Sequence, residues 1–239
     1  PDKNITGYKW ETDTAPLVLD VENNTIKVYY IKDEFNYTVE YYYDGLKDTS
    51  KTEVLKETYG TLIEEYPDKN ITGYMVEKTE GMPLTITENT QTNIIKVYYV
   101  KGDYEYTVEY YYDGIKDNSK TEVKGAKYGD IITTYSDKNI TGYQLESVDN
   151  LPLTIREVSI DNIIRVYYVK GEFNYTVEYY YEGEKDDSKT VTGKGIYESD
   201  IEDYEDKVIP GYKLSEVKNL PLTITEKTEE NIIKVYYIK

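Results

Sequence analysis

Any chemistry in this chain would have to come from carboxylates and phenols, because its 239 residues include no histidine and no cysteine. His-based triads, thiol nucleophiles and ordinary zinc sites are thereby removed. Paired carboxylates could still serve as a glycosidase pair, and the 46 Asp and Glu residues offer many combinations. No pair stands out from a solvated acidic background, so catalysis is the least favoured reading. The acidic loops Asp113 to Asp117 and Glu182 to Asp187 could lend oxygens to adventitious calcium. The EF-hand spacing is absent, and no cofactor is expected.

The phenols are the sharper candidates. There are 31 tyrosines against 2 phenylalanines and 1 tryptophan, a choice that suits half-buried pleated surfaces where the ring packs and the hydroxyl stays wet. On strands of period two, Tyr42, Tyr111 and Tyr180 fall on the face that carries Thr and Glu. Tyr98, Tyr167 and Tyr236 fall on the face that carries Lys or Arg. Outward rings of this kind can stack on the apolar faces of sugars, which makes these six the candidate glycan-binding residues. The competing use is cross-strand pairing that covers the sheet, worth about 0.2–1 kcal/mol per pair, and it is the weightier of the two.

What positions these rings is a repeat. The segment YTVEYYYDG starts at Tyr37 and Tyr106, and YTVEYYYEG starts at Tyr175, 69 residues apart both times. The same offset links Gly73-Tyr74, Gly142-Tyr143 and Gly211-Tyr212, then Pro83, Pro152 and Pro221, then Asn93, Asn162 and Asn231. Several motifs holding one register define full copies at 37–101, 106–170 and 175–239. Residues 1–32 match only the second half of a copy, with three residues fewer in the middle. The chain starts inside a repeat unit, which reads as an excised segment of a longer protein.

Within one copy, alternation predicts a first strand from Tyr106 to Tyr112 with Tyr106, Val108, Tyr110 and Tyr112 inward. Asp113-Gly114 marks a turn, and a second strand runs around Thr121–Tyr128. Gly129 to Ser136 reads as a short helical turn or irregular chain. Gly142 opens a third strand, Pro152 bars its neighbours from a central strand, and Ile163 to Val169 forms the last strand with Ile164, Val166 and Tyr168 inward. Trp10 aligns with Val76, Leu145 and Leu214, and all four are expected in the core. Half a domain cannot bury that core alone. Residues 1–32 are therefore docked on the next copy, completed by another chain, or part of a continuous fibre. Joins of four residues (Asp33–Asn36, Gly102–Glu105, Gly171–Asn174) leave little freedom, so the copies are expected to stack as an elongated, semi-rigid rod.

With 28 Lys and Arg the formal charge is −18. Phosphodiester backbones and anionic membrane surfaces repel such a chain, so neither nucleic-acid binding nor membrane insertion is expected. No run approaches the roughly 18 apolar residues of a membrane span. The sequons at Asn4, Asn70 and Asn139 recur because the repeat recurs. The segments Leu151–Ile155 and Leu220–Ile224 resemble a sortase signal but carry Ile where that signal needs Gly.

The run Tyr106-Thr107-Val108-Glu109-Tyr110 with Asp113-Gly114, Thr121 to Gly129, Gly142-Tyr143 and Arg165-Val166-Tyr167-Tyr168 resembles the MucBP (mucin-binding) repeat family of Gram-positive bacterial surface proteins. The resemblance covers essentially the whole chain. It departs where Gly60 and Gly129 become Glu198, a change that argues against a positive φ at this position in all copies. The resemblance implies a mainly β, ubiquitin-like β-grasp unit with first and last strands adjacent and parallel. It also implies an extracellular adhesin, attached to the cell wall through its parent protein, with mucin or other host glycoproteins as partners. A stalk, a multivalent glycan-binding module and a self-assembling fibre segment all fit this pattern.

Overall fold

In the computed structural model, residues 3–239 are described except Asn23, Asn70, Asn139 and Val208; the sequons at Asn70 and Asn139 therefore lie outside the described residues. The fold is mainly β. The chain divides into two compact units, Pro1–Tyr104 with Lys127–Gly129, and Glu105–Ala126 with Asp130–Lys239.

The first unit contains a four-stranded sheet whose centre is a parallel pair, Glu34–Tyr43 beside Ile94–Lys101. Leu46–Thr58 flanks the first of these and Tyr74–Glu80 the second, both antiparallel. The second unit builds the same arrangement twice, around Asp103–Tyr112 with Ile163–Lys170 and around Glu172–Tyr181 with Ile232–Ile238. In both, the second strand is broken in two, as Ile115–Lys116 with Glu122–Lys127 and as Glu184–Lys185 with Val191–Ile196. Only Asp33, Gly102 and Gly171 separate each last strand from the next first strand, so the expected four-residue joins are absorbed into the sheets.

Alternation places the core as the sequence implies. Val39, Tyr41, Ile95, Val97 and Tyr99 are buried on one face, against Leu84 and Ile86. The covering layer is thin. It consists of a two-residue pair, Leu62–Ile63 with Leu84–Thr85, and the irregular chain that follows it. Its counterpart after Gly129 is the strand Ile131–Ile132 paired with Leu153–Thr154, neither helical nor wholly irregular. Among the described residues no α-helix crosses any sheet; the only helices are the 3-10 turns Ser159–Asp161 and Asp187–Lys189.

Tyrosine hydroxyls tie this layer down. Tyr110 donates to the carbonyl of Ser136 at 2.6 Å, and Tyr99 donates to Asp68 at 2.6 Å while accepting from the amide of Lys69 at 3.2 Å. Tyr41 and Tyr179 donate likewise to the carbonyls of Pro67 and Glu205. At these positions a phenylalanine would fill the same space and leave the loop untethered.

Two expectations are corrected. Trp10, Val76, Leu145 and Leu214 are all exposed, Trp10 by 52%. Each lies on a sheet-edge strand just before a register shift, beyond the reach of the thin covering layer. Glu198 does adopt a positive φ, 61°, where Gly60 and Gly129 have 76°. Backbone bonds impose it: the amides of Gly60 and Glu198 donate to the carbonyls of Ile86 and Ile224, each at 2.9 Å. Lys170 then meets the Glu198 carboxylate at 3.0 Å.

Ahead of the first full copy, Tyr8–Asp13 and Val28–Lys32 form a two-stranded sheet docked on the copy that follows. Asp33 donates to the carbonyl of Gly7, and Tyr59 donates to the carbonyl of Asp33, both at 2.8 Å. The Tyr59 ring lies over Gly7, 6.4 Å from Tyr8 and 6.2 Å from Phe35. Gly142, Gly171 and Tyr197 repeat this junction in the second unit, and Gly73, Gly102 and Tyr128 repeat it in the first.

Candidate functional site

The parallel pairing sets Tyr42 opposite Tyr98, Tyr111 opposite Tyr167 and Tyr180 opposite Tyr236. Side chains of directly opposed residues share a face, so the six candidates meet as three stacked pairs on the face away from the core. Their ring centroids are 4.7, 4.9 and 4.8 Å apart at interplanar angles of 22°, 26° and 21°.

A carboxylate that the sequence reading passed over organises each pair. Glu40, Glu109 and Glu178 lie two residues before the first tyrosine, on the same face, and each accepts from its hydroxyl at 2.7 to 2.8 Å. A lysine completes the cluster: Lys47 at 2.5 Å, Lys116 at 2.6 Å and Lys185 at 2.8 Å. Arg165 adds a further contact to Glu109 at 3.3 Å. The signal was available in the alternation Thr-x-Glu-x-Tyr, which puts Glu and Tyr on one face two residues apart.

Burial alone would push these carboxyls up, but hydrogen bonds from lysine and tyrosine outweigh it and hold all three below the usual range. Tyr42 is pushed up to about 12, first by its hydrogen bond to Glu40 and then by burial. A general acid at neutral pH needs a carboxyl raised toward 7, whereas those of Glu40, Glu109 and Glu178 are held down.

The ring faces differ between copies. Lys78 sits 4.5 Å from the centroid of Tyr98, and Lys218 sits 5.1 Å from that of Tyr236. With a partner ring on one side and a cation on the other, those two tyrosines are occupied on both faces. In the middle copy Ser147 stands opposite Tyr167, where Lys78 stands opposite Tyr98. Among the described residues no lysine covers the Tyr167 ring.

The acidic loops are similarly engaged. Asp113 accepts from the Tyr143 hydroxyl at 3.0 Å and the Lys170 amide at 3.2 Å, and Asp117 and Asp186 accept from Ser119 and Ser188. Among the described residues no group of three or more acidic side chains is placed to hold a metal ion. No helix among them is long and apolar enough to cross a membrane.

No family model matches the chain, and no curated protein matches it. Among solved structures it is similar to the two B repeat units (B1B2) of the collagen-binding protein of Staphylococcus aureus, at 12% identity, with 98% of this chain and 81% of that chain covered. The TM-score is 0.20, a level at which two chains need not share a fold. The MucBP resemblance therefore stands on its motifs alone.

Proposed function

We propose that this chain is a non-catalytic, repetitive stalk segment of a bacterial cell-surface adhesin, held at the wall through its parent protein. The observation that carries this reading is the junction built three times from the same parts. A glycine carbonyl, a single linking residue and a tyrosine ring join Gly7 to Tyr59, Gly73 to Tyr128 and Gly142 to Tyr197. A joint of one residue, hydrogen-bonded on both sides, resists bending far better than a flexible linker. On this reading 37–101, 106–170 and 175–239 are successive domains of a MucBP-like, helix-poor relative of the β-grasp. Their acidic surfaces repel one another and favour extension.

Small-angle scattering of the chain tests it. The proposal requires an elongated particle whose maximum dimension shrinks or broadens when the three junction tyrosines are replaced by alanine. A compact particle overturns it.

One observation favours a second reading, glycan or mucin binding. In the middle copy Ser147 takes the place of Lys78, so among the described residues no lysine competes with a sugar for the Tyr167 ring. A glycan array in calcium and in chelator separates the readings. Saturable binding lost in Tyr167→Ala supports the module, and absence of binding supports the stalk alone.

A further inference from the structure

We infer that the three stacked tyrosine pairs on the outer face are sites of oxidative cross-linking. A one-electron oxidant, such as a haem peroxidase fed with hydrogen peroxide, joins each pair into a dityrosine. Tyr42 and Tyr98, Tyr111 and Tyr167, and Tyr180 and Tyr236 lie in direct register across the parallel strands. Their ring centroids are 4.7, 4.9 and 4.8 Å apart. Adjacent strands are themselves about 4.7–4.9 Å apart, so side-chain rotation closes the remaining distance while the strands stay in place. All six residues are half-buried on the sheet surface, open enough to give an electron to an external oxidant.

Proximity is not what singles these pairs out, because each copy carries a second stack. Tyr43 with Tyr99, Tyr112 with Tyr168 and Tyr181 with Tyr237 have centroids 5.1, 5.2 and 5.1 Å apart on the core face. Oxidising a phenol at neutral pH also removes its proton, and a carboxylate within hydrogen-bond reach is a ready acceptor. The outer face supplies one to each pair. Tyr42 donates to Glu40 at 2.7 Å, and Tyr111 and Tyr180 donate to Glu109 and Glu178 at 2.8 Å. In the first copy the partner ring has its own, since Tyr98 donates to Glu80 at 3.0 Å. On the core face, by contrast, the Tyr43 and Tyr112 hydroxyls are buried and meet no partner among the described residues. Tyr99, Tyr168 and Tyr237 are at most 4% exposed.

Each phenol gives one electron to the oxidant and loses its hydroxyl proton, the first-strand ring to its glutamate, which leaves two neutral phenoxyl radicals side by side. One electron from each forms a carbon–carbon bond between ring positions next to the hydroxyls. The hydrogens at those two positions then move through water to the oxygens, which restores both phenols. The protons taken up at the start return to solvent. Hydrogen peroxide accepts the two electrons and two protons through the peroxidase and leaves as two waters. The new bond ties the first strand of a copy to its last. In a stalk that tie carries tension covalently alongside the parallel ladder. This consequence rests on the proposed stalk role, whereas the cross-link depends on the ring pairs alone.

The test is oxidation of the dilute 239-residue chain, once with haem peroxidase and hydrogen peroxide and once with a photoexcited ruthenium tris-bipyridyl complex and persulfate. The second oxidant is small and reaches rings that an enzyme cannot approach. Proteolysis and mass spectrometry of the monomeric product should show dityrosine fluorescence and a loss of two hydrogen atoms per link. The linked peptides should join Tyr42 to Tyr98, Tyr111 to Tyr167 and Tyr180 to Tyr236. Tyr98→Phe keeps the stack and should lose the first-copy link while leaving the other two. Glu40→Gln keeps both rings but weakens the proton acceptor, and should lower the first-copy yield relative to the other two. Oxidation in urea should scatter the links over other tyrosines. The inference is overturned if neither oxidant yields dityrosine in the folded monomer, or if links favour the inner pairs or separate chains. A pattern unchanged in urea, or an unaltered first-copy yield in Glu40→Gln, overturns it as well. Scattering of the untreated chain tests the stalk separately, so either reading can fail without the other.

Discussion

The hydroxyl of Tyr110 lies 2.6 Å from the carbonyl of Ser136, while that of Tyr112, two residues on and on the same face, is buried and meets no partner among the described residues. Tyr110→Phe leaves a loop carbonyl without its donor and is expected to cost about 1 kcal/mol. Tyr112→Phe removes an unpaired buried hydroxyl and should be neutral or stabilising. Paired denaturant titrations decide it, and equal losses would show that the tethers contribute nothing. Acid sensitivity has a residue-scale origin too. The Lys124 ammonium 2.8 Å away and a hydrogen bond from Lys138 pull Glu122 down to about 2 from its ordinary 4.5. A carboxyl lowered on folding stabilises the native state fully above its unfolded value, and that contribution is lost as pH falls from about 4.5 toward 2. The cluster borders solvent, so screening leaves about 1 kcal/mol of it. Val191 stands at this position in the last copy, and Glu122→Val should flatten the acid limb of the stability curve by that amount. An unchanged limb would remove Glu122 from the account. Inward Tyr and Val were legible from alternation, whereas hydroxyl partners were not, because they sit on loops whose path no periodicity encodes. Trp10 was misplaced for a related reason: a pattern assigns a side of the sheet but does not say how far the opposing layer extends.

Strands and turns were the most legible elements. Asp113 and Gly114 adopt φ of 49° and 77°, the double positive φ that an Asp-Gly hairpin turn demands. Glu198 was not legible, because its conformation is set by a hydrogen bond to Ile224 far along the chain and not by its own preference. The Gly-Tyr pairs were visible as a motif, but their reason lies in the junction. A Cβ on Gly142 would lie 2.3 Å from the Tyr197 ring, and φ there is 76°. Gly211 has a similar φ of 84° with nothing within 4 Å. Alanine at either site meets the left-handed backbone penalty of about 1–2 kcal/mol. Only Gly142→Ala adds the clash, about 1–3 kcal/mol more if the ring cannot retreat. Thermal melts of the two variants should therefore differ, with protease cleavage near residues 170–175 rising in Gly142→Ala alone. Identical melts would mean that Tyr197 swings away freely and that the junction is soft.

Across the whole chain, the 69-residue period was plain in the sequence, but the division into two units was not. Tyr128 and its neighbours belong to the first unit although the repeat assigns them to the second copy. The reason is the junction contact itself, which draws Lys127–Gly129 toward Gly73 and Gly102. Net charge acts on the same scale. An excess of 18 negative charges opposes compaction, while the ion pairs are mostly half-exposed contacts such as Lys56 with Glu34 at 3.5 Å. Exposed pairs contribute about 0–1 kcal/mol each, and their short separations make them less sensitive to salt than repulsion acting over longer range. Raising ionic strength from about 0.01 M to 0.15 M shortens the screening length from ~30 Å to ~8 Å. Repulsion between distant carboxylates is then largely removed while contact pairs persist. The melting temperature should rise over that range and level off beyond it. Sodium chloride titration at constant pH reads this directly. A falling melting temperature would mean that attraction within the Glu109, Lys116 and Arg165 clusters outweighs the repulsion of the excess charge.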